Sequence, residues 1–226
     1  VRYLRQDIRA CRRRLSPLPA RFTDRWGDRR EAPSFEDAVC WHLLLGGQPP
    51  VRALVTDAQQ RLAGFEGLHM TPLRWLHITV LLAGSASEMT RDDTNEMLAR
   101  ARALLSGTPP VAVALKRVLY HPEGIVLAAS PEGALNPVFE AAQAATSEVT
   151  GMAADGPGPA WMPHMTLCYS TSQQPAAPVI AALGRELPGC EVTIDKLSLV
   201  IQRGPELLWD WHPLGTADLL GGPSGR

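Results

Sequence analysis

Trp75-Leu76-His77-Ile78-Thr79-Val80 and Trp161-Met162-Pro163-His164-Met165-Thr166-Leu167 are two apolar, β-prone runs, and each carries His-x-Thr. Successive side chains of a strand alternate between its faces, so residues two apart share one. Each run therefore presents an imidazole and a hydroxyl side by side. Two such pairs, brought together, would surround one small anionic group.

Working outward from these runs, the chain divides into two similar halves. The first reads as a strand near 39–45, a helix from Val51 to Leu62, the His77 strand over 73–83, a helix from Thr90 to Leu105 and a strand over 111–119. The second reads as a strand from Ile125, a helix from Asn136, the His164 strand to Tyr169, a helix from Pro175 to Leu187 and a long strand from Cys190 to Ile201. A last strand is expected at 207–211. The spacing from first strand to motif histidine is nearly the same in both halves: 39 to 77, and 125 to 164. Thr90-Arg91-Asp92-Asp93 is a capping-box signature, with Asp at N3. Helices alternating with strands indicate α/β or α+β layers. Two lobes about a pseudo-two-fold axis would let His77 and His164 meet across a cleft.

The 226 residues suffice for one domain with a substantial core, and 45% apolar with 20% charged residues reads as globular. No apolar run reaches membrane-helix length, and no secretory h-region follows the positive N-terminus. Cys11, Cys40, Cys168 and Cys190 are widely spaced without a CxxC, the usage of reduced cytoplasmic thiols rather than of zinc or a disulfide framework. Residues 1–31 hold ten arginines against four acidic residues, although the whole chain nets -1. Residues 1–37 are expected to be a poorly ordered basic extension; an electrostatic arm for a polyanion is the functional alternative. Residues 38–213 form the folded domain, with repeats over 38–120 and 124–202 that could exchange strands, and 214–226 a flexible tail.

The motifs suit in-line displacement at phosphorus. One histidine accepts a proton from the attacking oxygen, and the other protonates the leaving oxygen. Thr79 and Thr166 can donate to the non-bridging oxygens, where charge develops. No carboxylate lies within five residues of either motif, so a metal ligand set is not expected there. There is no Gly-x-Ser-x-Gly elbow, phosphate-binding glycine loop or dinucleotide fingerprint. A single His-x-Thr would more often be ordinary core; two copies at matching places in a repeat favour a site. Trp75 and Trp161 could stack on a base or simply pack, and His42 is a candidate cleft residue. Lys116, Arg117, Lys196 and Arg203 are candidate substrate cations.

On His77-Ile78-Thr79-Val80, His164-Met165-Thr166-Leu167, their separation and the duplicated pattern, residues 38–213 resemble the 2H phosphoesterase superfamily, in the branch of 2'-5' RNA ligases and RNA 2',3'-cyclic phosphodiesterases. The resemblance implies a bilobal α+β fold, two pseudo-symmetric sheet-and-helix lobes around a central cleft. It implies metal-independent chemistry, with no cofactor, on RNA 2',3'-cyclic phosphate ends or small cyclic nucleotides. His77 and His164 would be the acid–base pair, and Thr79 and Thr166 the phosphate ligands. For hydrolysis, His164 is expected to activate water and His77 to protonate the leaving oxygen. Ligation of 2'-5' ends would be the same chemistry reversed. A nucleotide- or RNA-binding module without turnover is the alternative. No membrane or obligate protein partner is implied. The N-terminal extension departs from the family pattern, in which the first strand stands at the start of the chain.

Overall fold

Ala38–Leu44 (β2) is buried on both faces, which is why it reads as a continuous apolar run rather than an alternating one. Val39, Trp41 and Leu43 point to the main core, while Ala38 and Cys40 belong to a small apolar cluster on the opposite face. The computed structural model describes residues 18–27, 37–151, 161–203 and 210–222. It is a mixed α+β fold.

From the N-terminus, Arg21–Phe22 (β1) precedes β2. Pro49–Leu62 (α1), Leu68–Met70 (β3) and His77–Ser85 (β4) follow, then Arg91–Leu105 (α2) and Val111–His121 (β5). The second half brings Gly124–Ser130 (β6), Asn136–Thr150 (α3), His164–Ser170 (β7), Gln174–Pro175 (β8) and Ala177–Leu183 (α4). Glu186–Ile194 (β9), Lys196–Gln202 (β10) and Trp211–Asp218 (β11) complete it. Eight strands pair in the order β11-β10-β2-β4-β7-β6-β5-β9, with β3 added beside β7. The order is symmetric about the β4–β7 seam, so β2 corresponds to β6, β10 to β5, and β11 to β9.

The physical lobes are not the sequence repeats. Strand β5 of the first half pairs with β6 and β9, whereas β10, from the second half, pairs with β2. Helices are exchanged too: α1 packs against β7, β9 and α4, and α3 packs against β4 and α2. Trp41 Nε1 donates to Thr146 Oγ1 at 2.9 Å, tying β2 to α3. Asp195 alone separates β9 from β10. One residue spans under about 4 Å, so the sheet must curl until the end of β9, at one edge, meets the start of β10, beside the other edge. Helices cover one face; the His-x-Thr residues lie on the other.

Several elements differ from the sequence expectation. The 190–201 run is two strands that change partners at Asp195, which an unbroken apolar alternation cannot reveal. The His77 strand starts at His77, because Leu73–Trp75 form a 3-10 turn behind Pro72. Leu187 is buried in β9, not in the preceding helix. Strand β11 runs to Asp218, beyond the expected domain end at 213; residues 207–209 of the expected last strand lie outside the described residues. The 90–105 helix has its capping box, with Thr90 Oγ1 accepting from Asp93 N–H and the Asp93 carboxylate accepting from Thr90 N–H.

The basic extension is the largest departure. Residues 1–17 and 28–36 lie outside the described residues, but 18–27 dock on the second lobe. Phe22 is fully buried, β1 pairs with β8, and Arg25 N–H donates to Ser170 O at 2.9 Å. The cause is one apolar anchor among charges, which a net-charge reading averages away.

Candidate active site

Strands β4 and β7 meet at a single register pair, Ile78 with Met165, and both side chains are fully buried in the core. Their neighbours must therefore face the other side. Continuing the antiparallel pairing one residue each way sets His77 opposite Thr166 and Thr79 opposite His164. Each histidine faces the other motif's threonine, and the four form a two-fold-related set.

Both rings are aimed the same way. His77 Nδ1 lies 2.8 Å from Trp75 O and His164 Nδ1 2.9 Å from Met162 O. A carbonyl only accepts, so each Nδ1 carries a proton, and Nε2 is the ring atom that can exchange one. Burial, partly offset by the Trp75 carbonyl and reinforced by the charge of His164, pushes the His77 imidazole down to about 4. It is neutral near pH 7.

A β-bulge follows each motif. In the β2–β4 pair, Val80 is extra between Thr79 and Leu81; in the β6–β7 pair, Leu167 is extra between Thr166 and Cys168. The bulges return the residue three places after each threonine to the motif face. On the first lobe this is Leu82, packed with Ala38, Cys40, Val200 and Trp211. On the second it is Tyr169, whose hydroxyl donates to Thr166 Oγ1 at 3.4 Å. The Arg25 guanidinium sits 4.5 Å from the Tyr169 ring centroid and pairs with Glu123 at 3.2 Å. Trp26 packs edge-on against Tyr169 and His69.

The other expected residues separate clearly. His42, only 2% exposed, stacks on His77 with centroids 4.2 Å apart. Trp75 packs against Trp211 in the apolar cluster beside His77. Trp161 stacks on Phe139, and its Nε1 donates to Thr79 O at 3.2 Å, so it braces the first motif. Arg117 lies opposite Ala128, which lies opposite His164. It thus stands on the motif face two strands, about 10 Å, from that histidine. Lys196 occupies the matching place: it shares the face of Ser198, which pairs with His42. Lys116 is the extra residue of the β5 bulge and pairs with Glu186 on β9. Arg203 pairs with Asp37 at the far end of β10, away from the histidines. Neither joins the site.

Tyr169, Arg25, Trp26 and Trp211 were not anticipated as neighbours of the motifs. Tyr169 is three residues from Thr166, which strand parity assigns to the wrong face; only the bulge corrects it. Burial pushes the Cys40 and Cys168 thiols up to about 12, so neither is a nucleophile at neutral pH. Among the described residues, no three His, Cys, Asp or Glu side chains converge as a metal-binding group.

A family described as the 2'-5' RNA ligase superfamily matches residues 47–206. Solved structures share the fold. TT0787 of Thermus thermophilus aligns at 23% identity and a TM-score of 0.64, over 81% of this chain and 98% of its own. Apo LigT of E. coli aligns at 14% and 0.59, over 80% and 96%. LigT in complex with 3'-AMP aligns at 13% and 0.59, over 81% and 97%. Among curated proteins, none matches this chain.

Proposed function

The chain belongs to the 2'-5' RNA ligase superfamily, and from that premise we propose that it is a metal-independent phosphodiesterase opening 2',3'-cyclic phosphates by histidine acid–base catalysis. The observation that carries this reading is the antiparallel placement of the motifs about Ile78 and Met165, which sets each histidine against the other's threonine. A phosphate between them meets a hydroxyl donor from each lobe and an imidazole on each side. The LigT complex with 3'-AMP supports a nucleotide as the ligand class.

The neutral state of His77 favours it as the base, the reverse of the order expected from the family resemblance. His77 Nε2 takes a proton from water, and the oxygen attacks phosphorus. The bond from phosphorus to one ribose oxygen breaks. Protonated His164 gives its Nε2 proton to that oxygen, and Thr79 and Thr166 donate to the non-bridging oxygens. Run backwards with a ribose hydroxyl in place of water, the same steps join ends. Arg117 and Lys196 flank the seam at matching distances, which supports an RNA end with charge beyond the reacting phosphate. No helix among the described residues is long and apolar enough to cross a membrane.

Purified protein should hydrolyse 2',3'-cyclic mononucleotides and cyclic-ended RNA in EDTA. The His77-controlled acid limb of kcat/KM should fall below pH 6.5, because a base of depressed pKa stays neutral to lower pH. Binding of these ligands with no product from any of them would replace the enzyme by a binding module. Activity surviving both His77→Ala and His164→Ala would move the chemistry elsewhere.

A further inference from the structure

His42 is the polar residue of the cleft that the acid–base scheme leaves unused. It pairs with Thr79 across β2 and β4, so both side chains stand on one face. Directly opposed residues have Cβ atoms about 5 Å apart. Its ring lies nearly parallel to His77, at 22°, and Trp211 closes it edge-on at 5.2 Å and 82°. Its Nδ1 is buried without a hydrogen-bond partner.

That placement is expensive for a residue whose only task is packing. A buried, unpaired polar atom costs about 1–3 kcal/mol, and a phenyl ring would fill the same slot without the cost. The second lobe shows that the fold does not need polarity here. The residue opposite Thr166 is Val126, which is also buried. Imidazole therefore stands where pseudo-symmetry supplies an aliphatic side chain.

The orphan nitrogen also indicates the tautomer. A buried N–H without an acceptor is rarer than a buried acceptor without a donor, so Nδ1 holds the lone pair and Nε2 holds the proton. Among the described residues, the groups paired with or packed on His42 are His77 and Thr79 from β4, Ser198 from β10 and Trp211 from β11. None is a carboxylate that would favour an imidazolium. Burial and the charge of His77 both lower the basicity of His42, and it stays neutral.

We propose that His42 is a third phosphate-contacting histidine, its Nε2–H donating to a non-bridging oxygen of the phosphate held by Thr79 and Thr166. It transfers no proton. It makes the first lobe's half of the site stronger in donors than the second, with a charge state constant across the working pH range. The proposal rests on reading the cleft as a phosphoryl site.

The test compares wild type, His42→Phe and His42→Gln. Inorganic phosphate affinity is measured by calorimetry, kcat/KM on a 2',3'-cyclic nucleotide from pH 5 to 9, and stability by thermal melting. Phe should weaken phosphate binding about 10–100-fold, the range of a hydrogen bond to a charged group, with melting temperature equal or higher. Gln should restore part of the affinity, and neither variant should shift the pH limbs. Unchanged phosphate affinity in the Phe variant overturns the proposal, as does a shifted limb with affinity intact. If wild type binds phosphate in a His42-dependent way but turns over no diester, the hydrolase reading fails and this one stands. If wild type is active and the Phe variant equals it, this proposal alone fails. Wild type that binds no phosphate overturns both.

Discussion

The two His-x-Thr motifs are nearly identical as sequence and unlike as environments. His77 is 9% exposed, covered by His42 and Trp211, and backed by an apolar cluster that includes Trp75. His164 is half-buried, in a lobe whose bulged residue is a tyrosine held by an arginine from the N-terminal segment. In the proposed mechanism the burial of His77 biases it toward the base, since desolvation disfavours the charged ring. The duplicated fold sets the two motifs in matching places, and the unequal surroundings make their imidazoles different.

Removing either imidazole tests the division most severely. His77→Ala and His164→Ala should each lower kcat/KM by about 10²–10⁴-fold, the usual share of general acid–base catalysis. Their residual pH profiles should differ: loss of His77 removes the acid limb, loss of His164 the basic one. Equal residual profiles would leave the assignment of base and acid without support.

The threonines come next. Thr79→Val and Thr166→Val should each cost on the order of 10²-fold in kcat, as expected for one donor to a developing oxyanion. If His42 shares the load at Thr79, the Thr166 variant is the more damaging of the two.

The buried state of His77 also predicts acid lability. An unfolded histidine takes up its proton near 6.5, but the folded ring does so only near 4. Between these values the unfolded chain binds more protons, so stability falls as pH falls. Denaturant titrations at pH 7 and 4.5 should differ by about 2–3 kcal/mol more in wild type than in His77→Gln. Parallel slopes for the two proteins would mean that the ring is not desolvated.

The second lobe's own device gives smaller effects. Arg25→Met, which strips the guanidinium from Glu123 and Tyr169, should lower stability by about 2 kcal/mol. Tyr169→Phe, removing one long hydrogen bond to Thr166, should change kcat/KM by only a few-fold. A Tyr169→Phe loss as large as that of Thr166→Val would instead put the phenol in contact with the substrate.

Much of the fold was legible because each piece is a local periodicity. The apolar stripe of Val51, Leu54, Val55, Ala58 and Leu62 marks α1, and all five are buried. The Thr90 capping box marks the start of α2. Partner choice was not legible. Nothing in Cys190–Ile201 announces that Asp195 ends one sheet edge and begins the other side of the molecule. Of the four candidate cations, Arg117 and Lys196 differ from Lys116 and Arg203 in register, which composition does not carry; Lys196, like Lys116 and Arg203, has an acidic partner, Asp195 at 3.9 Å. Arg25 was masked by its neighbours: ten arginines read as a solvated arm, although one is buried beside Phe22's strand.

The sequence by itself determined that two imidazole–hydroxyl pairs exist, each on one face of a strand, because the two-residue repeat of a strand is a local property. Only the tertiary structure decided that the pairs meet antiparallel at Ile78 and Met165, that bulges bring Tyr169 and Leu82 to the same face, and that His42 rather than an aliphatic residue stands beside Thr79. Those outcomes depend on which strands hydrogen-bond and in what register. That choice is set by burying the whole core at once, and no short stretch of chain contains it.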